Sequence, residues 1–521
     1  MNTWQQRLET LDSDRLRGML RGVEKESLRA NADGTLALTP HPKALGSALT
    51  HPHVTTDFSE SQLELITGVH HDADACLGEL TDIHLAVQRS LGKEMMWTSS
   101  MPCVLPPDET IPLGMYGSSN IGRAKSVYRM GLGHRYGRRM QTISGIHYNW
   151  SLPGVGSDGY FSLIRNFRRH SFLLLLLFGA SPALSADFVA GRGDHGLQES
   201  QAPQRSPCDS LYLPHATSLR MGRLGYQSDA QSSLAVSYNG LEGYASSLED
   251  ALTQPYPPYE RIGVMNLGGE YNQLSTSLLQ IENEFYGTIR PKRVIRSGER
   301  PLHALRQRGV EYVEVRCMDL DPFEPVGIAA GTMRFIDIFL LHCLFSDSPP
   351  DTPEEIAALA TNQQLTASRG REPGLMLQRR GQAVSLMDWS RELIAEFEAI
   401  AAHLDAKLGG SLYREAWHGA QARLSTPDEL PSARVLQAMG STYSNSHIQF
   451  TRAQSLKTRE HLLALEPNPG WLRQFEQAAH ESLLEQTRIE RADTLPFEQF
   501  RQQYLSSTQL LADAERTERA A

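Results

Sequence analysis

RGVEKESLRANADGTLALTPHPKALGSALTHPHVTTDFSESQLELIT, residues 21–67, holds the segments on which the fold prediction depends. Its last part, QLELIT at 62–67, alternates in hydropathy, as a strand with one face in the core does. Glu64 lies between Leu63 and Leu65 and therefore faces the polar side. Near its start, Glu24 and Glu26 would share a face on a strand but point about 200° apart on a helix. Residue propensity alone favours a solvated helical turn for these two.

Two further segments alternate in the same way. QTISGIHYNWSL at 141–152 predicts a strand with one face formed by Gln141, Ile143, His147 and Asn149. EYVEVR at 311–316 predicts another, with Val313 and Val315 on one face and Tyr312, Glu314 and Arg316 on the other. Alternation alone favours the solvated outer face of an antiparallel sheet. The alternative is a polar cavity lined by the concave face of a curved sheet.

The remaining segments predict helices. Residues 1–20 and 76–97 have helical apolar spacing, and the nine-residue apolar run at 172–180 is too short for a bilayer, so it predicts a buried helix. After a loop rich in Pro, Ser and Asp that begins near Ser346, helices are predicted at 386–408, 432–439, 449–465 and 471–491. The C-terminal third is therefore expected to be mainly helical.

The composition describes a globular protein of ordinary charge. The 521 residues are 40% hydrophobic and 21% charged, which excludes a disordered or fibrous chain. A net charge of −10 argues against a general nucleic-acid binder. The 5 cysteines have no paired spacing, so no disulfide framework is expected. The N-terminus lacks the apolar region of a signal peptide, and a cytoplasmic location away from membranes is expected.

Short motifs leave the chemistry open. The phosphate-binding GxxxxGK[ST] loop, GxGxxG and the GxSxG nucleophile elbow do not occur. His70, His71, Asp72 and Asp74 could bind a metal, but an aspartate that caps a helix explains them better, and the pair His51 and His53 is equally weak as a metal site.

Carboxylates gathered on one polar face repel each other and favour Mg²⁺ or Mn²⁺. A magnesium site that also binds a substrate phosphate would need positively charged side chains beside the carboxylates. Four residues could supply them: Arg290, Lys292, Arg293 and Arg316. A solvated basic run with an ordinary cross-strand ion pair is the alternative.

Long ordered blocks along nearly the whole chain resemble proteobacterial glutamate–cysteine ligases. Besides residues 21–67, the matching blocks are SMPC (100–103), YRMGLGHRYGRRMQTISGIHYNWSLP (128–153), LFGASPA (177–183), YLPHATSLRMGRLGY (212–226), QIENEFYGTIRPKR (280–293) and GVEYVEVRCMDLDPF (309–323). The resemblance implies an α+β fold. Its curved antiparallel sheet forms a funnel of the glutamine synthetase-like type, surrounded by helices. Glu24 and Glu26 would then lie on a strand that lines the funnel.

The resemblance also implies the activity. ATP, L-glutamate and L-cysteine give γ-glutamylcysteine, ADP and phosphate through a γ-glutamyl phosphate, the first step of glutathione biosynthesis. The chain would be a single catalytic domain over 1–521, with the funnel in 1–345 and a mainly helical part in 346–521. It would act as a monomer, with Mg²⁺ or, as the alternative, Mn²⁺ as cofactor, and bind neither nucleic acid nor membrane.

Site residues follow from the same matching blocks. The metal-binding residues implied are Glu24, Glu26, Asp57, Glu64, His147 and Glu314. Arg316 would stabilise the transferring phosphoryl group, and Lys292 and Arg293 are weaker candidates for the ATP side. The amino-acid pocket implied comprises Tyr128, Leu132, Gln141, Arg220, Tyr226 and Tyr286.

Two departures from the family and three alternative functions stand beside this prediction. No cysteine follows Cys343, so a disulfide found in some relatives after the Pro-rich loop cannot form, and residues 351–385 match poorly and predict a surface helix and loop.

A γ-glutamyl ligase for another amine would share the fold. A metal-dependent phosphohydrolase would release phosphate without amino acids. A binding protein of this fold without activity is disfavoured, since every expected carboxylate is present.

Overall fold

The computed structural model describes residues 3–200, 210–225, 230–231, 234–296 and 298–511. The strands in these ranges are β1 (Leu20–Ala30), β2 (Val54–Thr56), β3 (Gln62–Ile66), β4 (Met95–Met96), β5 (Ile146–Ser151), β6 (Ala183–Ser185), β7 (Gln198–Glu199), β8 (Ser210–Tyr212), β9 (Ile289–Lys292), β10 (Tyr312–Met318), β11 (Met376–Arg379) and β12 (Gln382–Ser385). The α-helices up to the Pro-rich loop are α1 (Thr3–Glu9), α2 (Ser13–Arg17), α3 (Ala73–Ser90), α4 (Asn120–Tyr136), α5 (Ser157–His170), α6 (Phe172–Phe178), α7 (Leu241–Thr253), α8 (Pro257–Ile262), α9 (Pro301–Arg308) and α10 (Ala330–Phe345). Those after it are α11 (Pro353–Arg369), α12 (Leu386–Leu408), α13 (Leu412–Ser425), α14 (Pro431–Thr442), α15 (His447–Ala464), α16 (Pro469–Ala492) and α17 (Phe497–Leu505).

A 7-stranded antiparallel sheet organises the first two thirds of the chain. Its order is β2-β3-β1-β5-β10-β9, and β4 also pairs with β1. The register places Glu24 opposite His147 and Glu26 opposite Glu64. On the next strand pair, Glu314 lies opposite Asn149. Because side chains alternate between faces, this register brings the polar residues of four strands onto one face.

The other face of the sheet is the wall of the hydrophobic core. Its buried side chains include Val23, Leu63, Leu65, Tyr148, Trp150, Val313 and Val315. Helix α3 packs on β1 and β3, α5 on β9 and β10, and α6 on β10. All seven residues of α6 are buried, which confirms the buried helix predicted from the apolar run. A sheet with one apolar face covered by helices and one polar face agrees with the predicted α+β class.

The strands were only partly predictable. The alternation at 62–67 and 311–316 is confirmed by β3 and β10. The strand expected over 141–152 is wrong at its start, because Met140–Thr142 form a 3-10 turn and the strand begins at Ile146. Propensity is also wrong for Glu24 and Glu26, which lie on β1 as the resemblance implies. Pairing with both β3 and β5 overrides the helical preference of this segment.

The helical predictions hold with shifted ends. In place of one helix over 1–20, the described residues form the short helices α1 and α2, divided at the N-cap Asp12 and followed by β1. The helix expected over 76–97 is α3, which ends at Ser90 before β4. The C-terminal predictions correspond to α12, α14, α15 and α16. Residues 351–385 form α11 and then the β11–β12 hairpin, which the sequence did not predict. Among the described residues, no helix combines the length and apolar character needed to cross a membrane.

Candidate active site

A cavity of about 570 Å³ lies over the polar face of the sheet. Strands β1, β3, β5 and β10 contribute its charged floor, with Glu24, Glu64, His147, Glu314 and Arg316. Further predicted residues line its sides: Asp57, Tyr128, Leu132, Gln141, Tyr286 and Lys292. Alternation in the sequence allowed either a solvated outer face or a polar cavity at this face of the sheet, and the structure has the polar cavity.

Three of the predicted metal-binding residues meet at the centre of the floor. Ligand atoms of Glu24, Glu64 and His147 all lie within 4.8 Å of one another. His147 Nδ1 is 3.3 Å from Glu24 Oε2, and its Nε2 is 3.6 Å from Glu26 Oε1. Glu26 also accepts a hydrogen bond of 2.7 Å from the Gly145 backbone amide. Cross-strand pairing creates this cluster, because Glu24 and Glu26 each lie beside a polar residue of a neighbouring strand.

Glu26 on β1 and Glu64 on β3 ionise less readily than exposed glutamates, whereas His147 and Lys292 lower the pKa of Glu24 against the effect of burial. Burial, together with Glu24 and Asp57, raises the pKa of Glu64 well above its ordinary value. Burial and Asp57 raise the pKa of Glu26 to about 8. In their ionised forms these groups repel one another, and a bound cation would favour ionisation by offsetting that repulsion. Carboxylate oxygens with one imidazole nitrogen are a donor set that fits Mg²⁺ or Mn²⁺.

On the other side of the cavity floor, positively charged side chains surround the carboxylate of Glu314. Glu314 Oε1 accepts from Lys292 Nζ at 3.0 Å, and its Oε2 accepts from Arg316 at 2.9 Å. Arg290 lies 4.0 Å from the same carboxylate. Burial alone would raise the pKa of Glu314, but Lys292 and Arg316 hold it well below its ordinary value. The floor thus has an acidic side on β1 and β3 and a basic side on β9 and β10, a division suited to a phosphate chain bridged by metal ions.

The expected amino-acid pocket forms one side wall. Gln141 Nε2 donates to the Tyr286 hydroxyl at 2.8 Å. Tyr128 and Leu132 are one turn apart on α4 and face the same cavity. Burial raises the pKa of Tyr128 well above its ordinary value, so its hydroxyl stays protonated and can donate.

Three predicted residues lie elsewhere or cannot be placed. Arg220 is fully buried behind the cavity wall, where it donates to the Arg316 carbonyl oxygen at 2.9 Å. Arg293 pairs with Glu311 at 3.3 Å and lines a neighbouring cavity of about 300 Å³. Tyr226 lies outside the described residues.

Helix α4 adds two cations that the sequence prediction missed. Lys125 and Arg129 line the cavity beside Tyr128. Arg129 donates to the carbonyl oxygen of Asp57, and burial next to Arg129 lowers the pKa of Lys125 to about 8. The spacing of 125, 128, 129 and 132 follows the i, i+3, i+4, i+7 pattern of one helical face, which was the available signal.

The histidine–aspartate cluster outside the cavity is structural. Asp72 accepts from the backbone amides of Asp74 and Ala75 and caps α3, as predicted. His70 pairs with Glu79 at 2.6 Å. The loop pair His51 and His53 packs on the aromatic rings of Phe475 and Trp471.

Comparison with known proteins identifies the family. The family model described as glutamate-cysteine ligase matches residues 6–366. The chain is 47% identical to the glutamate–cysteine ligase of Janthinobacterium sp. (strain Marseille), over 97% of this chain and 98% of that protein. It is also 47% identical to the Pseudomonas aeruginosa PAO1 enzyme, over 94% of each chain. Among solved structures, the glutamate–cysteine ligase of Francisella tularensis in complex with AMP is 35% identical, with a TM-score of 0.88 over 94% of this chain and 98% of that one. The chain therefore belongs to the glutamate–cysteine ligase family.

Proposed function

We propose that the cavity over the sheet is where this ATP-dependent ligase couples L-glutamate to L-cysteine. Glutamate's γ-carboxylate would take the γ-phosphoryl group of ATP, and the cysteine amine would then displace phosphate from the acyl phosphate. The observation that carries this assignment is the division of one cavity floor into an acidic and a basic side. Phosphoryl transfer between two anions requires such charge neutralisation and positioning.

The acidic side suits divalent metal ions. We assign Mg²⁺, with Mn²⁺ as the alternative, to Glu24, Glu26, Asp57, Glu64 and His147 on this side, together with Glu314 from the basic side. When bound, these ions would neutralise the phosphates and the carboxylate that approaches them. The assignment is supported by the raised pKa of Glu64 and by the close approach of Glu24 and His147.

The basic side suits the nucleotide. Arg316 projects from β10 into the cavity, and its ion pair with Glu314 holds the guanidinium in place. A planar, permanently charged fork at this position would stabilise charge on the transferring phosphoryl group. Lys292 lines both this cavity and its 300 Å³ neighbour. Tyr244, Leu248, Leu302 and Leu305 give that neighbour an apolar wall that could accept the ATP base, with Arg293 at its edge.

The amino acids would lie against the wall formed by Tyr128, Leu132, Gln141 and Tyr286. Arg220 would act from behind this wall, and Tyr226 completes the predicted set. We further propose that the enzyme is a monomer and works in the cytoplasm. The four described cysteines are buried free thiols, which agrees with a reducing compartment.

ADP release tests the activity together with its selectivity. Purified protein would receive ATP and Mg²⁺ with glutamate and cysteine singly and together, and the product would be identified by mass. We expect rapid ADP formation only with both amino acids, accompanied by γ-glutamylcysteine. A different preferred amine would preserve the site and change the second substrate, whereas ADP release without amino acids would indicate a phosphohydrolase and contradict the proposal.

A further inference from the structure

A second group of metal-binding side chains lies where α5, α10 and α12 pack together. His170 is the last residue of α5, and His342 and Cys343 lie in the last turn of α10. One ligand atom from each of these three residues lies within 4.8 Å of the other two. None of them lines the cavities of the proposed active site. This cluster, called here the His–Cys site, therefore lies outside the proposed active site.

The two histidines present buried nitrogen atoms that have no hydrogen-bond partner. His342 is 2% exposed, and its Nδ1, like Nδ1 of His170, forms no hydrogen bond. On the opposite edge of its ring, His342 Nε2 is 2.6 Å from Glu396 Oε2 on α12. That contact assigns the proton to Nε2, so the lone pair is on Nδ1. A buried lone pair without a donor is unfavourable, and a metal ion bound to it would remove that cost.

We propose that His170, His342 and Cys343 bind one Zn²⁺ ion, at a site separate from the Mg²⁺ or Mn²⁺ site of the sheet. Two imidazoles and a thiolate are ligands that Zn²⁺ prefers, whereas Mg²⁺ requires oxygen. Tetrahedral bonds of about 2.0–2.3 Å would space the ligand atoms about 3.5 Å apart. The side chains must therefore close by about 1 Å. A water molecule would take the fourth position.

The charges around the His–Cys site are compatible with a cation. As the zinc–sulfur bond forms, the Cys343 thiol releases its proton to solvent, and the thiolate offsets one of the two charges of the ion. Of the three guanidinium groups near His170, Arg169 is paired with Glu355 and Arg379 with Glu392, so that Arg380 is the remaining positive neighbour. Glu396 stabilises the bound state through His342, as carboxylates behind zinc-bound histidines do.

The site also has a route for the ion. Cys343 is fully buried, but the Glu396 side chain is 43% exposed and His170 is partly exposed. The bound ion would link α5 to α10 directly and α12 through Glu396. Because only the folded chain brings the three ligands together, zinc should stabilise the folded state.

Metal titration of the full chain tests this proposal. EDTA-treated protein in excess Mg²⁺, which occupies the oxygen-rich cavity, would be titrated with Zn²⁺ against a chromophoric chelator. Cd²⁺ would be used in parallel to record thiolate-to-metal charge-transfer absorption, a signal that carboxylates and imidazoles do not give. We expect one equivalent of each ion, a Cd²⁺–thiolate band, and a higher unfolding temperature with Zn²⁺.

Three variants locate the ion. Cys343→Ala should abolish the Cd²⁺ band, and Glu396→Gln should weaken Zn²⁺ binding about 10- to 100-fold. Cys103→Ala, which changes a buried thiol in another part of the core, should leave both unchanged. Ligase activity in Mg²⁺ verifies that each variant folds. The proposal is overturned if the unmodified protein shows no Cd²⁺–thiolate band, or if an active Cys343→Ala variant retains it.

Discussion

At the scale of single residues, Glu64 and Glu314 show how neighbouring side chains decide the pKa of a buried glutamate. Both project from strands into one cavity. Glu64 lies among carboxylates, which with burial raise its pKa, whereas Glu314 lies among Lys292, Arg316 and Arg290, which lower it. Replacement of the carboxylate by a neutral side chain should therefore affect the stability of the protein differently at the two positions. Glu314 stabilises buried cations, while Glu64 is destabilising until a metal ion binds.

Replacement of Glu64 should separate activity from stability. We expect Glu64→Gln to lower kcat at least about 100-fold, because the metal ions lose a carboxylate. Without metal, the variant should be at least as stable as the unmodified protein, because a neutral amide replaces a carboxyl group whose ionised form burial and the neighbouring carboxylates disfavour. Steady-state kinetics and urea unfolding in EDTA measure the two effects. A variant with full activity would remove Glu64 from the site.

A buried histidine predicts how stability depends on pH. His447 is 1% exposed, and burial lowers its pKa to about 4. The unfolded chain, with a histidine pKa of about 6.5, binds the proton first as pH falls, so the stabilisation present above pH 6.5 is lost toward pH 4. Between pH 7 and pH 5 this residue should cost about 2 kcal/mol of unfolding free energy.

Urea unfolding at pH 7 and pH 5 measures this contribution. In His447→Gln the decrease in unfolding free energy should be smaller by about 2 kcal/mol. The matched control is His480→Gln at an exposed histidine of α16, which should keep the full decrease. Equal pH dependence in all three proteins would show that folding does not lower the pKa of His447.

At the scale of elements, the position of β5 depends on the turn that precedes it. Alternation over 141–152 predicted a longer strand, since hydropathy does not record a backbone that must accommodate a neighbour. Gly145 has that role: a Cβ built there would collide with Nη2 of Arg220. Its amide also donates to Glu26. The segment therefore leaves the strand before Ile146 so that Arg220 can pass beneath it.

Substitution of this glycine should disturb both stability and catalysis. Gly145→Ala should destabilise the protein by about 1–3 kcal/mol, as overpacking of a core does. It should also lower kcat, because Arg220 would lose its contact with the Arg316 backbone. Gly331→Ala is the control, since its Cβ would meet nothing within 4 Å and α10 should gain slightly in stability. Thermal unfolding and kinetics of both variants test this, and an unaltered Gly145→Ala protein would contradict it.

At the scale of the whole molecule, one hydrophobic core joins the two predicted parts of the chain. Buried residues from Trp4 to Leu510 belong to the same cluster. Helix α13, after residue 346, packs on α10, and α15 packs on α3. Residues 346–511 thus cover the helices behind the sheet, which is why we favour a single domain. Calorimetry should show one unfolding transition for the full chain, and two separate transitions would contradict it.

The molecule also shows what the sequence could predict. Strands with a strict two-residue alternation, such as 62–67, were found from hydropathy alone. The strand conformation of Glu24 and Glu26 was not found in this way, because pairing with two neighbouring strands decides it. No pattern within a segment shows that Glu24, Glu64 and His147 meet, since 123 residues separate Glu24 from His147. That juxtaposition was available only through the resemblance.

Manganese binding followed by electron paramagnetic resonance tests the central claim, that the acidic side of the cavity floor holds the divalent ions. The loss of the free Mn²⁺ signal would be measured for the unmodified protein, Glu64→Gln and Glu311→Gln. Glu311 is the matched control, a half-exposed glutamate that pairs with Arg293 outside the carboxylate cluster. We predict that Glu64→Gln binds Mn²⁺ about tenfold or more weakly, while Glu311→Gln matches the unmodified protein. Equal Mn²⁺ binding by Glu64→Gln and the unmodified protein would contradict the account.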